Sequence, residues 1–403
     1  MRADLAQLGL LLFVSALVAM LTRRLRMPYT VGLVLAGIGL YFSPVHASLP
    51  LSRELIYSVF LPPLVFEAAL YMRWSEFKRN LPVVGLLATL GLALAALVTA
   101  VGMHVAVGWS WGAAALFGTL IAATDPVSVI ATFKDAGVHG RLRVLVEAES
   151  LLNDGTAAVA FAVASTIVSG GHGTVVAVAV EFVWTIAGGI VCGAATAFAM
   201  AALAGRTGDR LIRITFSTLT AYGSFMLAEH WHASGVIAAL TAGLATGNYR
   251  ASSPQAAEQR LAILSFWEYV GFAINSLVFL LIGTHEAQLH LGNIWPAVAA
   301  AIAFVTLGRA VAIYPSCALF ARTRLRVDPA HQHVLFWGGL RGALALALAL
   351  ELPAALPGRD EVVTVAFAVV AFSIVVQGLT MVPLLRRLGQ LDEDPLPPFD
   401  RAR

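Results

Sequence analysis

Long apolar runs separated by short polar clusters fill the chain from end to end. A helix needs roughly 20 mostly apolar residues to cross a bilayer. By that measure about thirteen spans are expected, near residues 5–22, 28–43, 53–71, 81–107, 112–134, 142–169, 174–204, 212–230, 233–247, 260–284, 292–321, 332–351 and 361–385. The second and ninth are short, and the boundary at Glu229-His230-Trp231-His232 is the least defined. Two spans are interrupted. The fifth contains Ala123-Thr124-Asp125-Pro126, where proline removes a backbone donor and pushes its predecessor out of helical geometry. The twelfth contains Gly338-Gly339-Leu340-Arg341-Gly342, three glycines around one cation. Broken helices at corresponding places in two halves point to a transporter built from inverted repeats. Spans 1–6 and 8–13 would be those six-helix halves, joined by span seven.

The sixth span breaks its own apolar pattern with Glu149-Ser150-Leu151-Leu152-Asn153-Asp154. Ionisable groups at membrane depth are costly, and by default they mark ion or proton pathways. Composition agrees with the span count. The chain is 59% hydrophobic and 12% charged with mean hydropathy +0.82, against roughly 25% charge in a soluble domain. The pI near 9.0 does not imply nucleic acid, because the basic residues lie in short loops. Of 26 Lys and Arg, 21 fall in the loops and tail of one side. Arg2, Arg53 and Arg359 fall on the other, and Arg309 and Arg341 lie inside spans. That bias places the N-terminus outside and the C-terminus in the cytoplasm. Arg23, Arg24 and Arg26 follow the first apolar run rather than precede it, so a retained first span is expected, not a cleaved signal. Cys192 and Cys317 fall in separate apolar spans and behave as small hydrophobes.

Ser150 and Asp154 are four residues apart and share a helix face, as do Glu149 and Asn153. A carboxylate, a hydroxyl and the backbone carbonyls freed at Thr124 together make an oxygen cage suited to a hard cation such as Na+. Carboxylates are too few for tight divalent binding. Asp154 can hold a proton instead, and one group that takes either ion is the minimum for exchange. The bland alternative is polar packing between helices, an open choice for Asn153. Asp125 could bind the cation through water, or cap freed amides at a half-helix N-terminus. Glu149 is expected to neutralise the buried Arg341, and Arg309 to pair with carbonyls or a carboxylate in the core.

Ala123-Thr124-Asp125-Pro126-Val127-Ser128-Val129 followed by Glu149-Ser150-Leu151-Leu152-Asn153-Asp154 resembles the NhaP-type Na+/H+ antiporters of the first cation:proton antiporter family, which includes the sodium/proton exchangers. Pro28-Tyr29-Thr30-Val31-Gly32, Leu61-Pro62-Pro63-Leu64-Val65-Phe66-Glu67, Ser234-Gly235-Val236, Phe279-Leu280-Leu281-Ile282-Gly283, Gly339-Leu340-Arg341-Gly342 and Gln377-Gly378-Leu379-Thr380 also resemble family motifs, in order. The resemblance implies an all-α NhaA/NhaP-like membrane fold over residues 1–387. Spans 1–3 and 7–10 would form a dimerisation domain, and spans 4–6 and 11–13 a six-helix core moving as an elevator. Residues 388–403 would be a short cytoplasmic tail. It implies a homodimer in the cell (inner) membrane, with lipid, monovalent cations and protons as partners. No cofactor is implied, since the ions are substrates. Asp154 would be the main carrier. Ser150 and Thr124 would complete the Na+ (or Li+) site, with Asp125, Glu149 and Asn153 nearby. Glu149 and Arg341 would be the family's buried ion pair. Electrogenic relatives carry a second aspartate at the position of Asn153, so asparagine implies electroneutral exchange.

Other features weigh less. Glu67, beside Pro62-Pro63, is expected to be a helix-packing carboxylate, with a cation-attracting place in a funnel as the alternative. His285, Glu286 and His290 are spaced one residue too long for a helical zinc motif, and His139, His230 and His232 are expected to be solvated loop histidines. K+/H+ exchange on the same fold is the alternative function. A channel would need a selectivity filter, and none is visible. An intramembrane enzyme would need a nucleophile beside a base, and no such motif occurs.

Overall fold

The computed structural model describes residues 2–25, 27–43, 52, 54–125, 129–130, 133, 137–138, 140–170, 175–248, 254–287 and 292–391. No strand occurs among them. The helices are α1 (Arg2–Leu25), α2 (Tyr29–Tyr41), α3 (Leu55–Leu70), α4 (Trp74–Val107), α5 (Trp111–Ala122), α6 (Arg141–Val168), α7 (Val175–Ala204), α8 (Arg210–His230), α9 (Gly235–Gly247), α10 (Pro254–Glu286), α11 (Trp295–Leu319), α12 (Pro329–Trp337), α13 (Ala343–Leu350) and α14 (Arg359–Arg387). A helix, or a pair of half-helices, stands at the place of each expected span. Eight are long and apolar enough to cross a membrane, and α2, α3, α5 and α9 are shorter apolar helices.

Helix ends follow local chemistry. Ser110 caps α5 by accepting from the Ala113 amide, Asp209 caps α8 through the Leu211 and Ile212 amides, and Ser234 caps α9 through Ile237. That last cap settles the weak boundary between α8 and α9. Helix α4 ends at Gly108, whose φ of 81° suits only glycine without cost. Large apolar side chains such as Phe13, Met20, Val105, Phe198, Met226 and Leu319 point outward. A bundle apolar on its outside as well as its inside is built for lipid.

The most extensive packing runs α2 to α10, α3 to α9 and among α7, α8 and α9, and separately α4 to α11 and α4 to α5, with α5 also against α6. At one end of this second group Arg141 of α6 donates to Asn80 Oδ1 of α4 (3.0 Å). It also donates to the Leu325 and Arg326 carbonyls (2.8 and 2.6 Å) before α12.

Candidate functional site

Both sequence interruptions are real breaks. The first leaves helical geometry at Ala123, Thr124 and Asp125; Pro126, Val127 and Ser128 lie outside the described residues. The second runs from Gly338 to Gly342 and separates α12 from α13. Unwound backbone at membrane depth must find internal partners. The Asp125 amide donates to the Leu340 carbonyl (2.7 Å), so the two breaks cross and hold one another. The Arg341 amide donates to Ser373 Oγ of α14 (3.0 Å).

Two charges complete the crossing. Arg341 Nη1 donates to the Ala122 and Ala123 carbonyls at the C-terminal end of α5 (2.9 and 3.1 Å). A cation at the negative end of a half-helix is favourable. Asp125 lies against Gly342, the residue that caps the N-terminus of α13. A methyl group at Gly342 would sit 2.5 Å from Asp125 Cβ and 3.0 Å from its Oδ2. Only glycine admits this carboxylate at the positive end of α13.

The expected Glu149–Arg341 pair does not form. Glu149 instead takes a two-pronged ion pair from Arg309 of α11: Nη1 to Oε1 at 2.6 Å and Nη2 to Oε2 at 2.9 Å, both side chains buried. Arg309 also donates to the Leu335 carbonyl of α12. The reason is positional. Arg341 sits in the break, where the orphaned carbonyls of α5 claim it. Arg309 lies on an intact helix facing α6. A methyl group at Gly339 would come within 2.6 Å of Arg309 Nε, so the break also makes room for this guanidinium.

The remaining expected site residues converge. Asp154, Thr124 and Asp125 share a cavity of about 30 Å³ with Ala123, Gly342 and the first residues of α13, closed by Leu61, Leu64 and Val65 of α3. One water-sized occupant needs roughly 10–15 Å³, so a stripped or partly hydrated monovalent cation fits. Thr124 Oγ1 donates to Ser150 Oγ (3.2 Å), joining the break to the face of α6 that carries Asp154. Asn153 lies on the neighbouring face. Its Nδ2 reaches the Ala122 carbonyl (3.3 Å), Thr124 Oγ1 (3.2 Å) and Glu149 Oε1 (3.2 Å), while its Oδ1 is buried with no hydrogen-bond partner. Asn153 therefore links the break, the hydroxyl pair and the ion pair. Asp125 and Glu149 are close enough for their charges to bear on Asp154, and Glu149 likewise on Arg341.

Sequence reasoning did not anticipate the seats at Gly339 and Gly342, the backbone link from Asp125 to Leu340, or Ser373. Paired glycines flanking an intramembrane arginine were the available signal. His139 and His290 lie outside the described residues. Among the described residues no cluster of three His, Cys, Asp or Glu could hold a metal ion.

A family model described as the transmembrane sodium/hydrogen exchanger matches residues 10–387. The chain belongs to that family. The Na+/H+ antiporter ApNhaP of Aphanothece halophytica is 38% identical over 370 residues, spanning 91% of this chain and 71% of that protein. The Na+/H+ antiporter NhaS2 of Synechocystis is 37% identical over 388 residues, 96% of this chain and 71% of that one. The structure of the sodium proton antiporter MjNhaP1 from Methanocaldococcus jannaschii at pH 8 superposes with a TM-score of 0.74 at 20% identity. It covers 96% of this chain and 97% of its own. The NhaP-type fold anticipated from the motifs is the fold found, in a multi-pass membrane protein of the exchanger family.

Proposed function

We propose that this chain exchanges Na+ or Li+ for H+ one for one, with both ions competing for Asp154. The observation that carries this is the charge set around the crossed breaks. Asp125, Glu149 and Asp154 are three carboxylates; Arg309 and Arg341 are two guanidinium groups. With Asp154 ionised, one negative charge is left over, and one monovalent cation or one proton neutralises it. A divalent cation would leave an excess positive charge in a low-dielectric site. Thr124 and Ser150 supply neutral oxygens beside the carboxylate. Asn153 occupies, without charge, the place where a second carboxylate would require a second ion. The sodium/proton antiport named for the curated relatives agrees with this chemistry.

The site moves, in this proposal, with a core of α4–α6 and α11–α14, against a scaffold of α1–α3 and α7–α10 that also forms a homodimer. The packing supports this division, because α4 with α11 and α2 with α10 are among the most extensive contacts and each lies within one group. Apolar side chains of α3 form the wall the cavity would slide along. The arginine-rich loops orient the N-terminus outward and the C-terminus toward the cytoplasm.

The test is proton flux in proteoliposomes under an imposed Na+ gradient, with the membrane potential clamped at zero. Proton movement that persists under the clamp supports exchange. A Na+ current with no coupled proton movement would make the protein a channel.

A further inference from the structure

A second cavity shares no lining residue with the one at the crossed breaks. It has a volume of about 270 Å³ and is bounded by the end of α3 and by α7, α8, α9 and α10. Its wall is mostly apolar, built from Leu70, Ala201, Phe216, Ala245 and Leu264 among others. The hydroxyls there are already committed: Ser217 donates to the Ile214 carbonyl, Thr220 to Phe216 and Thr246 to Ala242. Two cations line it, Arg213 of α8 and Arg260 of α10. Each gives one hydrogen bond to a backbone carbonyl, Arg213 Nε to Thr207 (3.1 Å) and Arg260 Nη2 to Gly247 (2.8 Å). Among the described residues the other donors of both forks take no further partner. Among the described residues no carboxylate lines the cavity. The neighbouring Asp209 is occupied capping α8.

We propose that this cavity binds an anionic phospholipid, its phosphate held by Arg213 and Arg260 and part of an acyl chain against the apolar wall. A free anion would use the arginines but has no use for the wall. A zwitterionic lipid would use the wall but leave two cations poorly matched. The volume is just below the usual range for a small-molecule site, roughly 300–1,000 Å³. That suits a chain segment rather than an enclosed ligand. Basic pockets between membrane helices are suited to anionic head groups, and this one is lined by Gly205 and Arg213, close in sequence to the exposed Arg206 and Arg210. Gln259 of α10 donates to the Gly208 carbonyl (2.9 Å), tying the loop between α7 and α8 to α10.

The test is thermal unfolding of the purified, delipidated protein in neutral detergent, with phosphatidylglycerol, phosphatidylcholine or inorganic phosphate added. Phosphatidylglycerol is expected to raise the melting temperature by about 3–6 °C, and the other two to leave it within about 1 °C. The Arg213→Gln/Arg260→Gln variant should lose at least half of that shift. Ala201→Phe, which fills the cavity without touching a charge, should lose it as well. An equal shift with phosphatidylcholine would reduce the site to nonspecific packing. An equal shift with phosphate would make it a simple anion site. A full phosphatidylglycerol shift in Ala201→Phe would place the lipid elsewhere. Any of these three results overturns the proposal.

Discussion

The α2–α10 contact and the crossing of the two breaks both depend on glycine, and the glycines admit different things. At the first, Gly37 and Gly283 bring two intact backbones together. A methyl group at Gly37 would collide with the Leu280 carbonyl oxygen and lie 2.9 Å from Gly283 Cα, and one at Gly283 would collide with the Val34 carbonyl. No charge is involved. At the crossing, Gly342 and Gly339 admit charged side chains, Asp125 and Arg309. Small residues thus make a stiff apolar joint in one region and hold ionised groups at membrane depth in the other. A methyl group added at Gly37 should therefore appear in folding, and one added at Gly342 in transport.

Substitutions can break or sharpen that contrast. The largest effect is expected at Asp154. Asp154→Asn should reduce Na+-driven proton flux to the level of empty liposomes, with a melting temperature within about 2 °C of the parent. Retained flux would remove Asp154 from the site. Next come the partners of the ion pair. Glu149→Ala and Arg309→Ala should each cost ~3–5 kcal/mol of stability by leaving a buried charge alone. Arg341→Ala should cost ~1–3 kcal/mol, since it strands carbonyls rather than a carboxylate. Chemical denaturation ranks the three, and a larger loss at Arg341 would restore the pairing first expected for Glu149.

The glycines test the contrast itself. Gly342→Ala should slow exchange ~10–100-fold by displacing Asp125, with a smaller effect on unfolding. Gly37→Ala should cost ~1–3 kcal/mol through overpacking and leave the cation KM of the folded fraction unchanged. The same pattern in both variants would erase the distinction. The smallest effect concerns stoichiometry. The parent should give no net current on Na+ addition across a supported membrane, whereas Asn153→Asp should give a measurable one. A current from the parent would refute one-for-one exchange.

The helix pattern was legible because membrane spans need long apolar runs, and short polar clusters separate them. The breaks at Thr124-Asp125 and Gly338–Gly342 were legible because proline and clustered glycine have few other uses inside a span. The four-residue spacing of Ser150 and Asp154 placed both on the face that meets Thr124. The partner of Glu149 was not legible. Two intramembrane arginines were available, and the choice depends on which helix faces α6 and on where unwinding leaves bare carbonyls. Both are properties of the tertiary crossing rather than of local sequence. The same limit hid Asn153: its spacing puts it beside Glu149, but its contacts with Ala122 and Thr124 exist only once the break is folded against α6.

The central claim is that one carboxylate serves both ions. The direct measurement is the KM for Na+ in proteoliposomes across pH, from initial rates of dye dequenching. Competition at Asp154 sets the sign. As pH falls, protons occupy more of the carboxylate, so KM should rise, by up to about tenfold per pH unit, while the rate at saturating Na+ changes little. A KM independent of pH, with only the maximal rate falling, would mean that cation and proton use separate sites.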